Sequence, residues 1–139
     1  MSFYSDQASQ FEDLAADIQT RLTSQGATLD DAAYANLEVQ RDALLDKASQ
    51  MILADVQATL TQLKVDQPRL AQCTTSLVNA AKNIKTFDKY AAIISAAVTL
   101  ATEIASANLG GIASAIVGAE QAVAAVVKPQ DSPATKAAS

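Results

Sequence analysis

Histidine is missing from all 139 residues, and every catalytic or metal site that needs an imidazole goes with it. One cysteine, Cys73, is present, so no internal disulfide can form; it falls on the apolar stripe of its helix and reads as a small buried hydrophobe. Glycine and proline number four and three, too few for a turn-rich β protein. Aromatic residues make up 4% of the chain although half of it is apolar. Alanine supplies much of that half; it favours helix but fills little volume. A slender helical object is expected rather than a thick globule.

Further absences narrow the function. The first ten residues, MSFYSDQASQ, carry no basic region and no apolar run. No secretory signal is expected there, hence cytoplasmic synthesis, with signal-less export or peripheral membrane association left open. No nucleophile elbow, phosphate loop or dinucleotide fingerprint occurs. Paired acids such as Asp30/Asp31 and Asp42/Asp46 lack the Glu-x-x-His partners of a di-metal bundle. No enzyme activity, cofactor or metal is expected. Nucleic acid is not an expected partner either, because no basic stripe with interleaved aromatics exists.

The charge that is present is unevenly spread. Residues 1–67 hold eleven acids and four bases, and residues 68–139 hold four acids and six bases. An acidic front half beside a mildly basic, apolar back half suggests that the two attract one another.

The apolar periodicity gives the elements. Tyr4, Ala8, Phe11, Ala15, Ile18 and Leu22 repeat at alternating steps of four and three, which predicts an amphipathic helix over 3–24. Ser24-Gln25-Gly26 stops it. Thr28 with Asp31 resembles a capping box, and no glycine or proline follows until Pro68. Residues 29–64 therefore read as one helix about 54 Å long. Its broad stripe (Leu37, Leu44, Leu45, Ala48, Met51, Ile52, Val56, Leu60, Leu63) predicts two neighbours. After Pro68, two heptad series run without a slip: Leu70, Leu77, Ile84, Ala91, Val98, Ala105, and Cys73, Ala80, Phe87, Ile94, Ala101. They predict a second long helix over 68–107. Thr86 offers a cap for a break, but the unbroken frame argues for continuity. A turn at Asn108-Leu109-Gly110-Gly111 leads to a short helix over 111–127, ended by Pro129. Residues 129–139 read as a disordered tail, and 1–128 as a single domain. The fold class is all-α: an antiparallel helical bundle built on a long helical hairpin (29–64 and 68–107) with a shorter helix at each end.

The functional expectation rests on Tyr90–Val127, a hairpin of two apolar arms interrupted only by Glu103 and Glu120. Each arm is near the lower length limit of a membrane span. Phe87 and Tyr90 fall where interfacial rings are favoured, and Gly111/Ala115 and Ser114/Gly118 permit close packing in lipid. Ile93, Ile94, Val98, Leu109, Ile112, Ile116 and Val117 are the candidate membrane or partner contacts. Gly110 and Gly111 are the candidate hairpin turn. Lys82, Lys85 and Lys89, sharing one helical face, and Lys128 are the candidate headgroup contacts. Two expectations follow: a self-associating protein of bacterial type whose hairpin conditionally engages or inserts into a membrane, or a soluble adaptor, inhibitor or chaperone using the same face on a partner protein. A homo-oligomer or a helical partner is expected in either case.

A long helical hairpin carrying a glycine-turned, weakly apolar segment resembles the α-helical pore-forming toxins of the haemolysin E and bipartite or tripartite haemolysin type. The resemblance is one of architecture, centred on Tyr90–Val127, with no residue motif in common. It implies that conversion from a soluble to a membrane-bound form is feasible for such a layout. Alanine-rich amphipathic coats of apolar granules are a second, looser likeness.

Overall fold

The computed structural model describes residues 3–84 and 86–127. Among them the chain forms six α-helices and no strand: α1 (Phe3–Gln25), α2 (Asp31–Met51), α3 (Ala54–Gln62), α4 (Gln67–Asn83), α5 (Phe87–Ala105) and α6 (Leu109–Val127), with a 3-10 turn at Gly26–Thr28. The all-α bundle expected from periodicity is what the chain forms. All six α1 seam residues, from Tyr4 to Leu22, are buried.

Named contacts fix the directions. Gly26 abuts the Tyr34 ring and Gln19 bonds Arg41, so α1 and α2 run opposite ways. Tyr4 lies beside Gln67, Gln10 beside Thr75, and Arg21 beside Ala81 and Ile84, so α1 and α4 run the same way. Helix α2 packs on α1 and α5, which is the two-sided contact its broad stripe predicts; α5 packs on α2, α4 and α6. Leu37, Leu44, Leu77, Ile93, Ile94 and Leu100 are fully enclosed between these helices.

Both long helices expected from the sequence are divided. The 29–64 helix stops at Met51; Leu53 is extended (φ −64°, ψ 141°) and α3 starts at Ala54. The 68–107 helix stops at Asn83, with Ile84 and Thr86 both extended. The cause is length. Helix α1 has 23 residues, about 35 Å at 1.5 Å per residue, and rods of 54–60 Å would leave their far halves without a neighbour. Broken, the chain brings Leu60 of α3 and Tyr90 of α5 back into the core at 0% and 1% exposure. The second heptad series keeps its face across the corner, with Cys73, Ala80, Ile94 and Ala101 buried. The first slips by one residue: Leu70, Leu77 and Ile84 are buried, and then Tyr90, Ala97 and Ile104 are enclosed while Ala91 and Val98 are only partly buried.

Local capping differs in the same spirit. Asp30, not Thr28, caps α2, accepting from the Ala33 N–H at 2.7 Å, while the Thr28 hydroxyl donates back to the Gln25 carbonyl. Thr86 occupies the N-cap position of α5 but its side chain makes no capping bond. The expected tail, 129–139, lies outside the described residues.

Candidate functional site

The α4–α5 corner is held by a polar cluster. The Arg21 guanidinium donates to the carbonyls of Ala81 (2.7 Å) and Ile84 (2.6 Å). These are end-of-helix acceptors that lack intrahelical donors, and a cation suits the negative end of the helix dipole. The same guanidinium lies 4.0 Å from the centre of the Tyr90 ring, a cation–π contact. The Tyr90 hydroxyl donates to Asp17 at 2.8 Å, and Asp17 pairs with Arg21 at 3.4 Å. Tyr90, expected at a membrane interface, is instead a core residue.

The α5–α6 turn is built without the two glycines. Ala107 takes the left-handed conformation (φ 54°), and no described glycine does so. The Ala107 N–H donates to the Ile104 carbonyl at 2.9 Å and the Asn108 N–H to the Glu103 carbonyl at 3.4 Å, the pair of bonds that closes a Schellman motif. Asn108 then caps α6: its side-chain oxygen accepts from the Gly111 N–H at 3.0 Å. Gly110 and Gly111 therefore lie in the first turn of α6, which corrects their expected role as the bend. Ala107 makes the bend in their place, and the short polar side chain of Asn108 supplies the acceptor that starts α6. At Gly111 a Cβ would meet the Glu103 carboxylate, the end of a flexible side chain that can swing aside.

The seven candidate contacts divide. Ile93, Ile94, Ile112 and Ile116 are buried in the bundle, and Val98 is partly buried against it. Leu109 and Val117 are 41% and 42% exposed. Lys82 and Lys89 are exposed but stand on opposite sides of the corner, so they do not share the face of one continuous helix. Lys85 and Lys128 lie outside the described residues.

Helix α6 is the element with unfilled capacity. Among the described residues it alone is long and apolar enough to cross a membrane, by length and composition, yet only 22% of Leu109–Val126 is buried. The buried stripe is Ile112, Ala115, Ile116 and Ala119, at the i, i+3, i+4, i+7 spacing of one helix face. Open clefts flank it on both sides. One, of about 420 Å³, lies against α5 between Ala92–Glu103 and Gly111–Ala119; the other, of about 310 Å³, lies against α4 beside Gln72, Cys73 and Ser76.

At the α4 side, Cys73 is 4% exposed and its thiol points at the Ile116 carbonyl, 3.9 Å away. Burial, then the Glu120 charge, push this thiol up to about 11, with Arg69 pulling the other way, so it is a protonated and unreactive thiol at neutral pH. Arg69 Nε and Nη2 donate to the two Glu120 oxygens at 2.9 and 2.6 Å, a two-point pair joining α4 to α6 at the surface. Nothing in the sequence ties residues 51 positions apart; the only hint is that Glu120 interrupts an otherwise uncharged α6. Among the described residues no three metal-ligating side chains converge.

Comparison of the chain with family models, with curated proteins and with solved structures finds no match.

Proposed function

We propose that this chain is a non-enzymatic, self-associating helical protein whose 90–127 hairpin conditionally engages a membrane, with α6 as the contact helix. The supporting observation is the contrast within α6: apolar along its length, but with only four residues buried, two of them alanine, and Ala122, Val123 and Val126 partly buried beyond them. Fully burying an isoleucine contributes about 1.5–3 kcal/mol, so Ile112 and Ile116 supply roughly 3–6 kcal/mol of the hold on α6, to which the part-buried Ala122, Val123 and Val126 and the Arg69 pair add. A lipid surface or a second copy can compete with a hold of that size. Helix α5 cannot be lifted as cheaply, because Tyr90, Ile93, Ile94, Ala97 and Leu100 are all enclosed.

Full insertion of a single α6 meets an opposing term. A charged side chain near mid-membrane costs about 2.5–3.5 kcal/mol, and α6 carries Glu120. Lying in the interface, or assembling with Glu120 turned to a wet lumen, avoids that cost. Lys82, Lys85, Lys89 and Lys128 would meet anionic headgroups in this reading. The test is flotation with anionic liposomes, combined with dye release and light scattering with and without mild detergent. Co-flotation and a detergent-dependent assembly are expected; a monomer that neither floats nor releases dye at any pH sinks the reading.

A second reading, a soluble adaptor, inhibitor or chaperone, draws on the burial of Ile93, Ile94, Ile112 and Ile116. There the bundle stays closed and only the outer face of α6, with Leu109 and Val117, meets a partner helix. Dye release separates the two, since a closed bundle releases none.

A further inference from the structure

We propose that the Arg69–Glu120 pair is a clasp that sets how readily α6 leaves the bundle, and that α6 leaves as one unit pivoting on Ser106–Asn108. The two ends of α6 are held differently. At its start, the Schellman bonds from Ala107 and Asn108 and the Asn108 cap tie it to α5. The fully buried stripe ends at Ala119. Beyond it Ala122, Val123 and Val126 are only partly buried against the core, and Val123 lines the open cleft beside Cys73. The next residue after the stripe is Glu120, the single charged residue of Leu109–Val127, and it makes the two-point pair with Arg69.

Arg69 is otherwise badly placed. It sits in the first turn of α4, where the helix dipole disfavours a cation. Asp66, the α4 N-cap, accepts from the Arg69 backbone N–H at 3.1 Å and its charge also favours the guanidinium. The guanidinium itself is directed across to α6. Both partners are about half exposed, at 47% and 42%, so salt screens the pair. The clasp therefore biases a weakly held helix rather than locking it, and it responds to the ionic surroundings.

Cys73 is a built-in reporter, because it is the chain's only cysteine and lies beneath α6. The clasp rests on the reading of α6 as the contact helix, but its test contains no lipid. The measurement is the rate at which a bulky maleimide labels Cys73 in the folded full-length chain at low and high salt. Glu120→Gln is expected to raise the rate roughly threefold, as loss of an exposed ion pair does. Arg69→Gln is the deciding variant: losing the Arg69 charge by itself raises the thiol's pKa and slows labelling, whereas losing Glu120 lowers it. A faster rate in both variants therefore reports the clasp, and a slower rate in Arg69→Gln overturns it. The double variant should add little to either single one. Salt should speed labelling of the wild type and leave Glu120→Gln unchanged. Tyr90→Phe, which weakens the bundle at the α4–α5 corner, should leave the rate near wild type. An unchanged rate in Glu120→Gln, or equal salt effects with and without the pair, overturns the clasp. Labelling that rises as much in Tyr90→Phe as in Glu120→Gln overturns departure of α6 as a unit. Any of these leaves the membrane reading standing, whereas failure to float with liposomes removes that reading and leaves the clasp.

Discussion

Arg21 serves two helix-end carbonyls, the Asp17 carboxylate and the Tyr90 ring at once. Its side chain is only 15% exposed, so removing it leaves buried acceptors without donors, which costs about 1–3 kcal/mol per group. Arg21→Leu should therefore destabilise the bundle by about 2–4 kcal/mol, and Tyr90→Phe, which loses one bond to a charged acceptor, by about 1.5–3 kcal/mol. Urea denaturation measures both; losses under 0.5 kcal/mol for Arg21→Leu would mean the corner does not depend on it. None of this was legible in the sequence, because Asp17 and Tyr90 are 73 residues apart. Cys73 was legible, since its heptad position alone placed it in the core. Its thiol is held above the ordinary value of 9.0, at about 11. The stabilisation carried by the neutral thiol is thus complete below pH 9 and is lost as pH climbs toward 11. Between pH 8 and pH 10.5, Cys73→Ala should lose less stability than the wild type; equal losses in the two would show that Cys73 does not titrate with folding.

At the scale of elements, the helix faces were readable and the helix ends were not. Period identified the buried residues of α1 and α4, because the face a residue takes is a local property of 3.6-residue geometry. In α2 and just beyond it the stripe was drawn too wide, since Leu45 and Ile52 are exposed, and in α5 one heptad series was a residue out of step with Tyr90, Ala97 and Ile104. The corners at Ile52–Leu53 and Ile84–Thr86 carry no glycine or proline; they exist because neighbouring rods are short, a fact held in no local stretch. The last turn shows the converse error. Two glycines pointed to the bend at 110–111, while the backbone bends at Ala107. A non-glycine residue in the left-handed region is strained by roughly 1–2 kcal/mol. Ala107→Gly should therefore stabilise the protein by about 1 kcal/mol. Gly110 has ordinary helical surroundings, with only the Asn108 side chain at 3.7 Å from a built Cβ. Gly110→Ala should also stabilise, by about 0.5–1 kcal/mol. Thermal unfolding reads both shifts, and a clear loss of stability in Gly110→Ala would restore the glycine to the turn.

For the whole molecule, the acidic front half and the apolar back half do pack together, α1 on α4 and α2 on α5, but most of the apolar hairpin serves the bundle rather than an outside surface. On the proposed membrane reading, what remains for a lipid surface is the outer side of α6 and the exposed lysines, and the two would make separable contributions. Each basic side chain near an anionic surface contributes about 1 kcal/mol, so Lys82→Gln and Lys89→Gln should each weaken binding to anionic vesicles about fivefold and leave binding to neutral vesicles alone. Both lysines are exposed, so the unfolding midpoint should move little: slightly down for Lys82→Gln, whose charge suits the last turn of α4, and slightly up for Lys89→Gln in the first turn of α5. Val117 is 42% exposed, so Val117→Lys should also fold, yet it places a charge on the face that would meet the acyl boundary. If α6 enters the interface, Val117→Lys abolishes dye release even though it adds a positive charge. If the protein only adheres electrostatically, the same variant binds anionic vesicles more tightly than the wild type. The sign of that one change, measured by flotation and dye release on the same vesicles, decides between an inserting helix and a charged surface resting on lipid.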